Sequence, residues 1–198
     1  MTRLVLWRHG QTMWNHDGRF QGQEDVDLNE TGRAQAAAAA GRLATLGVDA
    51  IVASDLRRAV DTADELARLT ALPVRTDARL RERYYGQWQG LTHQELAVRY
   101  PEEYARWRRF EPVDGCDIED LDDLAKRVAA ALQDAADLAP GGTVVVATHG
   151  GAAKYGMMTL LGWPRPVAAT IAVLENCHWS LLRHDRVRGW QLRGHNLS

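Results

Sequence analysis

The chain has 198 residues, 45% hydrophobic and 25% charged, with a formal charge of −2. That balance belongs to a soluble globular protein with one buried core, and it excludes polybasic nucleic-acid binders and disordered chains. Two cysteines, Cys116 and Cys177, cannot build a disulfide framework and suit a reducing, cytoplasmic compartment, while no apolar run approaches the ~18 residues of a membrane span.

In chain order, Arg3–Arg8 reads as a short buried strand that runs into His9-Gly10. Thr31 to Leu46 is alanine-rich and helical, with Ala34, Ala37, Ala38 and Gly41 forming a face suited to close packing. Ala50–Ala53 is a second strand, with Ser54 as the N-cap of a helix from Asp55 to about Thr70. Pro73–Thr76 is a third strand. Arg79 to Pro112 is aromatic and arginine-rich, a mixture of loop and short helix. Leu121, Leu124, Val128, Leu132, Ala135 and Leu138 have helical spacing that Pro140-Gly141-Gly142 stops. Thr143–Ala147 is a buried strand, a helix to about Leu161 follows, and Thr170 to Leu192 reads as two or three edge strands. Alternating strands and helices predict an α/β fold with a largely parallel sheet.

Polar residues gather where strands end. Arg8-His9 follows the first strand, Ser54 and Arg58 follow the second, and His149 follows Val144–Ala147. Ligands of open α/β sheets bind beyond the carboxyl ends of strands, so three segments aim at one edge. Two histidines and two arginines there call for an anion, and a phosphoryl group fits: arginine binds its oxygens in bidentate fashion, and glycine amides at Gly10 and Gly150 add donors. No HExxH, CxxC or close histidine pair is present, so neither a metal nor another cofactor is expected.

The blocks LVLWRHGQTMWN (4–15), RFQGQEDVDL (19–28), SDLRRAVDTA (54–63), LRERYYGQWQG (80–90) and VVVATHGG (144–151) stand in the order of the histidine phosphatase (phosphoglycerate mutase-like) superfamily, which the chain resembles. The resemblance implies a mixed, mostly parallel sheet flanked by helices on both faces. It implies one domain over residues 1–198, with a substrate-covering segment at about 79–118. By position it makes His9 the nucleophile that becomes phosphohistidine. Arg8, Arg58 and a protonated His149 complete the phosphate pocket, and Glu82 is the proton donor. Asn15, Gln21 and Gly22 are further phosphate or substrate contacts. A neutral imidazole can attack phosphorus without a metal, and cationic groups compensate the equatorial oxygens.

The activity implied is metal-independent hydrolysis of a small phosphorylated metabolite, with no nucleic-acid or membrane partner and a homodimer left open. SDLRRAVDTA and LRERYYGQWQGLTH resemble actinobacterial glucosyl-3-phosphoglycerate phosphatases, which points to that substrate or a phosphoglycerate-type one. A cofactor-dependent phosphoglycerate mutase and an inactive phosphate-binding module are the competing readings. Gly90-Leu91-Thr92-His93 lacks the mutase lysine, and an inactive module has no need of Glu82. In the arginine-rich segment, Arg108 and Arg109 are candidates to clamp a substrate carboxylate. Tyr84, Tyr85, Trp88 and Trp107 are candidates to wall the entrance. Arg57 and the histidines His16, His93, His178, His184 and His195 are expected on the surface.

Overall fold

A computed structural model describes residues 1–198. The strands are β1 (Arg3–Arg8), β2 (Ala50–Ala53), β3 (Val74–Thr76), β4 (Thr143–Thr148), β5 (Trp179–Asp185) and β6 (Gly189–Leu197). The longer helices are α1 (Met13–His16), α2 (Glu30–Ala44), α3 (Arg57–Thr70), α4 (His93–Arg99), α5 (Pro101–Arg108), α6 (Leu121–Asp137) and α7 (Gly150–Leu160). One six-stranded sheet runs in the order β3-β2-β4-β1-β5-β6. The first four strands pair in parallel, and β5 and β6 are antiparallel. This is the mixed, mostly parallel sheet expected from the sequence. The tail supplies two strands, and β5 is interior: it covers the free edge of β1, so of these two β6 alone is an edge strand, with β3 at the opposite border.

Side chains alternate across a strand, so β1 feeds two cores. Leu4 and Leu6 pack with Val144, Val146 and the α6 and α7 residues Leu124, Val128, Leu132 and Met157. Val5 and Trp7 face the other way, onto Leu43 of α2, Leu66 of α3, Ile51 and Val145. β1 and β4 are continuous apolar runs because helices cover both faces.

Two local expectations fail. The buried face of α2 is Gly32, Ala36, Ala39, Ala40 and Leu43, whereas Ala34, Ala37, Ala38 and Gly41 are exposed. A polyalanine helix carries no amphipathic contrast of its own; Leu43, its one large apolar residue, sets the phase at i−3, i−4 and i−7. Ser54 does not cap α3, which begins at Arg57 with Leu56 at the N-cap and no side-chain capping bond.

A third cluster of Phe20, Trp88, Leu96 and Cys116 holds the segment between β3 and α6 together, with Tyr85, Tyr104 and Trp107 against it. Its rings meet edge to face, Phe20 lying 5.0 Å from Tyr85 and 5.7 Å from Trp88 between centroids. The aromatics therefore divide: Trp88 is wholly buried core, and Tyr84 is exposed.

The loop after β1 rests directly on α2. A Cβ on Gly10 would strike the carbonyl oxygen of Gly32, and one on Gly32 would strike the backbone of Gln11. At exposed Gly41 nothing lies within 4 Å. Gly41→Ala should therefore raise the melting temperature through the ~1 kcal/mol helix preference of alanine. Gly32→Ala should lower it, because overpacking against backbone costs about 1–3 kcal/mol. Thermal unfolding of both variants checks this, and a rise for Gly32→Ala would show that the loop can retreat.

Candidate active site

The register between β1 and β4 builds the centre of the site. Arg8 pairs with Thr148 at the carboxyl end of the sheet, so the next residues, His9 and His149, emerge side by side with ring centroids 5.2 Å apart. β2 lies on the other flank of β4, and the first turn of α3 after it delivers Arg58.

His9 Nδ1 lies 2.7 Å from the Gly10 carbonyl oxygen. That contact requires a proton on Nδ1 and leaves the Nε2 lone pair free. Burial, with the Arg58 and Arg8 charges, holds its pKa well below the usual histidine value, so the ring is neutral. The backbone around it is pinned: the Gly10 amide donates to Thr62 Oγ1 at 3.1 Å, and Asn176 Nδ2 donates to the His9 carbonyl at 3.0 Å.

His149 departs from the expectation of an imidazolium. Its Nδ1 accepts from Arg58 Nε at 3.2 Å, so the proton sits on Nε2, which donates to Ser54 Oγ at 2.9 Å. Burial and the Arg58 charge hold its pKa well below the ordinary range. Ser54 is thus a partner of the site, which explains why it is not a helix cap. Arg58 is fully buried and its pKa falls to about 10 through loss of solvent, so it stays cationic at neutral pH. Its guanidinium donates to the Gly22 carbonyl at 2.8 Å and the Glu24 carbonyl at 2.6 Å. Arg8 donates from Nη1 to the Leu174 carbonyl at 2.5 Å, while its buried Nε has no protein acceptor. A buried, unspent N–H on a guanidinium marks a place for an anion.

Glu82 sits at the N-terminus of α7. Its Oε2 accepts the Gly151 amide at 2.9 Å, and its Oε1 accepts the Ala152 amide at 3.0 Å and the Arg83 amide at 2.8 Å. The lack of a side chain at Gly151 permits this, since a Cβ there would lie 2.6 Å from Oε1. Arg127 of α6 fixes the segment from behind, donating to the carbonyls of Arg79, Arg81 and Glu82 at 2.7, 2.7 and 2.9 Å.

The remaining sequence candidates divide. Asn15 closes a capping box on Thr12, and its Oδ1 accepts from Asn176 Nδ2 at 3.3 Å. Gln21 is buried with Oε1 on the Thr12 hydroxyl at 3.0 Å. Gly22, at φ 55°, turns its carbonyl to Arg58. Arg108 and Arg109 do not line the site. They end α5 exposed to solvent, where Arg109 pairs with Glu111 at 2.8 Å, so they carry no clamp. His93 is exposed, as expected, while its ring lies 4.9 Å from Phe20 and bonds the Tyr104 hydroxyl at 2.9 Å.

A cavity of about 400 Å³ opens above Arg8 and Glu82, walled by Phe20, Tyr85, Trp107 and Tyr155 and by the cations Arg83 and Lys154. No three His, Cys, Asp or Glu side chains converge as a metal ligand set, and no helix is long and apolar enough to cross a membrane. Asn176 and Arg127 were invisible as site residues because their roles depend on tertiary contacts between distant segments, whereas Ser54 was placed at the site edge by its position after β2 but not as the partner of His149. Lys154 did leave a signal, as one of two lysines in the chain, set within the apolar run of α7.

Residues 4–198 match the model of the histidine phosphatase superfamily, branch 1. The chain belongs to that superfamily. It is 40% identical to the glucosyl-3-phosphoglycerate phosphatase of Mycolicibacterium vanbaalenii, across 94% of this chain and 87% of that one. It is 41% identical to the metal-independent phosphoserine phosphatase of Arabidopsis thaliana, across 76% of this chain and 65% of that one. It superposes on a mycobacterial glucosyl-3-phosphoglycerate phosphatase solved with VO3 at a TM-score of 0.89, with 37% identity and 99% of each chain covered.

The two neutral imidazoles give the superfamily pocket a measurable pH dependence. An unfolded chain takes up protons on both rings below about pH 6.5, whereas the folded chain does not until their lowered pKa values are reached. Stability should therefore be highest above pH 6.5 and fall as the pH drops from there. Melting temperatures from pH 8 to pH 5 should show this slope, and His149→Gln should flatten it. An unchanged slope in that variant would mean His149 is already charged.

Proposed function

We propose that the chain is a metal-independent phosphomonoesterase that works through a phosphohistidine on His9, with residues 1–198 as one catalytic domain and about 79–118 as its cover. The observation that carries this reading is the lock on His9. Nδ1 is spent on the Gly10 carbonyl, Nε2 is free, and the Arg8 Nε–H beside it is unspent. An attacking lone pair and anion donors are thus held before substrate arrives, which is the positioning that phosphoryl transfer asks of a protein.

In the first step the Nε2 lone pair forms a bond to phosphorus as the ester P–O bond breaks. Arg8 and Arg58 stabilise the charge on the transferring oxygens. The leaving alkoxide takes a proton from the Glu82 carboxyl. Oε2 accepts one amide where Oε1 accepts two, so Oε2 has room for that proton. In the second step Glu82 takes a proton from water, the oxygen bonds to phosphorus, the P–N bond breaks, and inorganic phosphate leaves with His9 restored. Asn15 and Gln21 hold the His9 loop through Asn176 and Thr12, and Gly22 holds Arg58. The names of the relatives support a carboxylated phosphomonoester as substrate, glucosyl-3-phosphoglycerate or a compound like it.

Labelled substrate quenched in base should leave an acid-labile phosphoramidate on the wild type and none on His9→Ala, whose rate should fall by several orders of magnitude. Turnover should survive a strong chelator and be inhibited by vanadate, which adopts the five-coordinate geometry of the transferring group. Turnover without label, or isomerisation of 3-phosphoglycerate faster than phosphate release, would overturn the reading.

Glu82→Gln should impair alkyl phosphates, whose alkoxide needs a proton, by roughly 10²–10⁴-fold. Aryl phosphates, whose phenolate leaves unaided, should suffer less. Equal losses on the two would remove Glu82 from the acid role.

A further inference from the structure

Lys154 lies one turn along α7 from the amides that grip Glu82, on the helix face shared by Gly150 and Gly151. Only 6% of it is exposed, and it opens onto the cavity over Arg8 and Glu82. Its ammonium has no carboxylate within the 4.0 Å of an ion pair, and its protein contacts are the faces of Phe110 and Tyr155, 5.5 and 5.9 Å from their centroids. Burial lowers its pKa with no opposing charge to raise it. The stem is buried, and the ammonium meets the cavity with no protein oxygen to pair with it.

Apart from Arg8, whose Nε has no protein acceptor, the other charged groups of the wall have protein partners of their own. Arg83 gives Nε to the Glu119 carbonyl at 2.8 Å and lies over the Tyr85 ring, and Arg19 donates to the Gly90 carbonyl at 2.7 Å. Glu111 is paired with Arg109, and Glu82 accepts its three amides. Nothing on the wall neutralises Lys154. Phe110 is the left-handed residue, φ 60°, of the turn that ends α5, its amide donating to the Trp107 carbonyl and the Glu111 amide to the Arg106 carbonyl, both at 3.0 Å, and that turn leaves its ring 5.5 Å from the ammonium.

We propose that Lys154 is the receptor for a carboxylate on the leaving group of the substrate, and so a specificity-determining residue of this site. The proposal rests on the phosphomonoesterase reading above and adds to it the group that selects the ester. Phosphorus at His9 puts the ester oxygen beside Glu82, and a carboxylate a few bonds further on lies along the α7 face towards Lys154. A single ammonium is a point charge suited to a monoanion, whereas a second phosphate asks for a fork of donors. The carboxylate clamp that the sequence suggests on Arg108 and Arg109 is thereby moved to the inner wall.

The decisive ligands are 3-phosphoglycerate and glycerol 3-phosphate, which carry a carboxylate and a hydroxymethyl group respectively at the same place. Binding is measured by calorimetry to His9→Ala, which cannot turn them over, with Lys154 intact and as Lys154→Met. The substitution should weaken 3-phosphoglycerate roughly 10–100-fold, the worth of a charge-assisted hydrogen bond, and glycerol 3-phosphate less than about threefold. In the active enzyme the ratio of kcat/KM for the two esters should fall by the same factor. Lys154→Gln, which keeps a donor without the charge, is the second variant should the methionine protein not fold. Equal weakening of both ligands would assign Lys154 to packing, and unchanged affinity for 3-phosphoglycerate would remove it from recognition; either overturns the proposal. Because calorimetry needs no turnover, a wild type inactive on every ester would sink the phosphatase reading while this comparison still decided on Lys154.

Discussion

Everything at the site depends on the parallel register between β1 and β4. Because Arg8 stands opposite Thr148, the chain leaves both strands at the same height, and two imidazoles from opposite ends of the sequence come within 5.2 Å. A one-residue slip would turn every side chain of β1 to the other face. It would exchange Leu4 and Leu6 for Val5 and Trp7 between the two cores and carry His9 out of line with His149. The apolar packing that fixes the register therefore also fixes His9.

The second constraint is electrostatic. Four groups able to carry positive charge are crowded into one buried volume, and the fold lowers the count by keeping both imidazoles neutral. Arg58 remains charged and is solvated by backbone carbonyls of the loop at Gly22 and Glu24. Arg8 faces Glu82, whose charge opposes the effect of burial on it. The result is a cradle with two permanent cations and two neutral rings, one of which, His9, keeps an unshared Nε2 lone pair.

The order of strands and helices was legible because β1, β4 and α6 carry strong periodic or continuous apolar patterns. The site residues at strand ends were legible because topology alone converges them. What escaped depended on tertiary context. Alanine could not reveal which side of α2 is buried until Leu43 met the sheet. Ser54, a good helix cap by type, was taken instead by His149. Arg108 and Arg109 looked like an anion clamp by charge, yet the last turn of α5 points them to solvent. Lys154 is the converse case: its helix reads as apolar core, and only the structure shows that it opens onto the cavity.

β1 precedes every other strand of the sheet in sequence, yet it lies in the middle of it, between β4 and β5. Its parallel partner is separated from it by about 140 residues, and closing so long a loop before any pairing is gained makes such contacts late and slow to form. During synthesis the segment carrying His9 must wait, with both edges unpaired, until nearly three-quarters of the chain has followed it. The cluster of His9, Arg8, Arg58 and His149 thus cannot form ahead of the fold as a whole. Any truncation before β4 leaves His9 on an exposed apolar strand, a species prone to aggregate rather than a weaker enzyme.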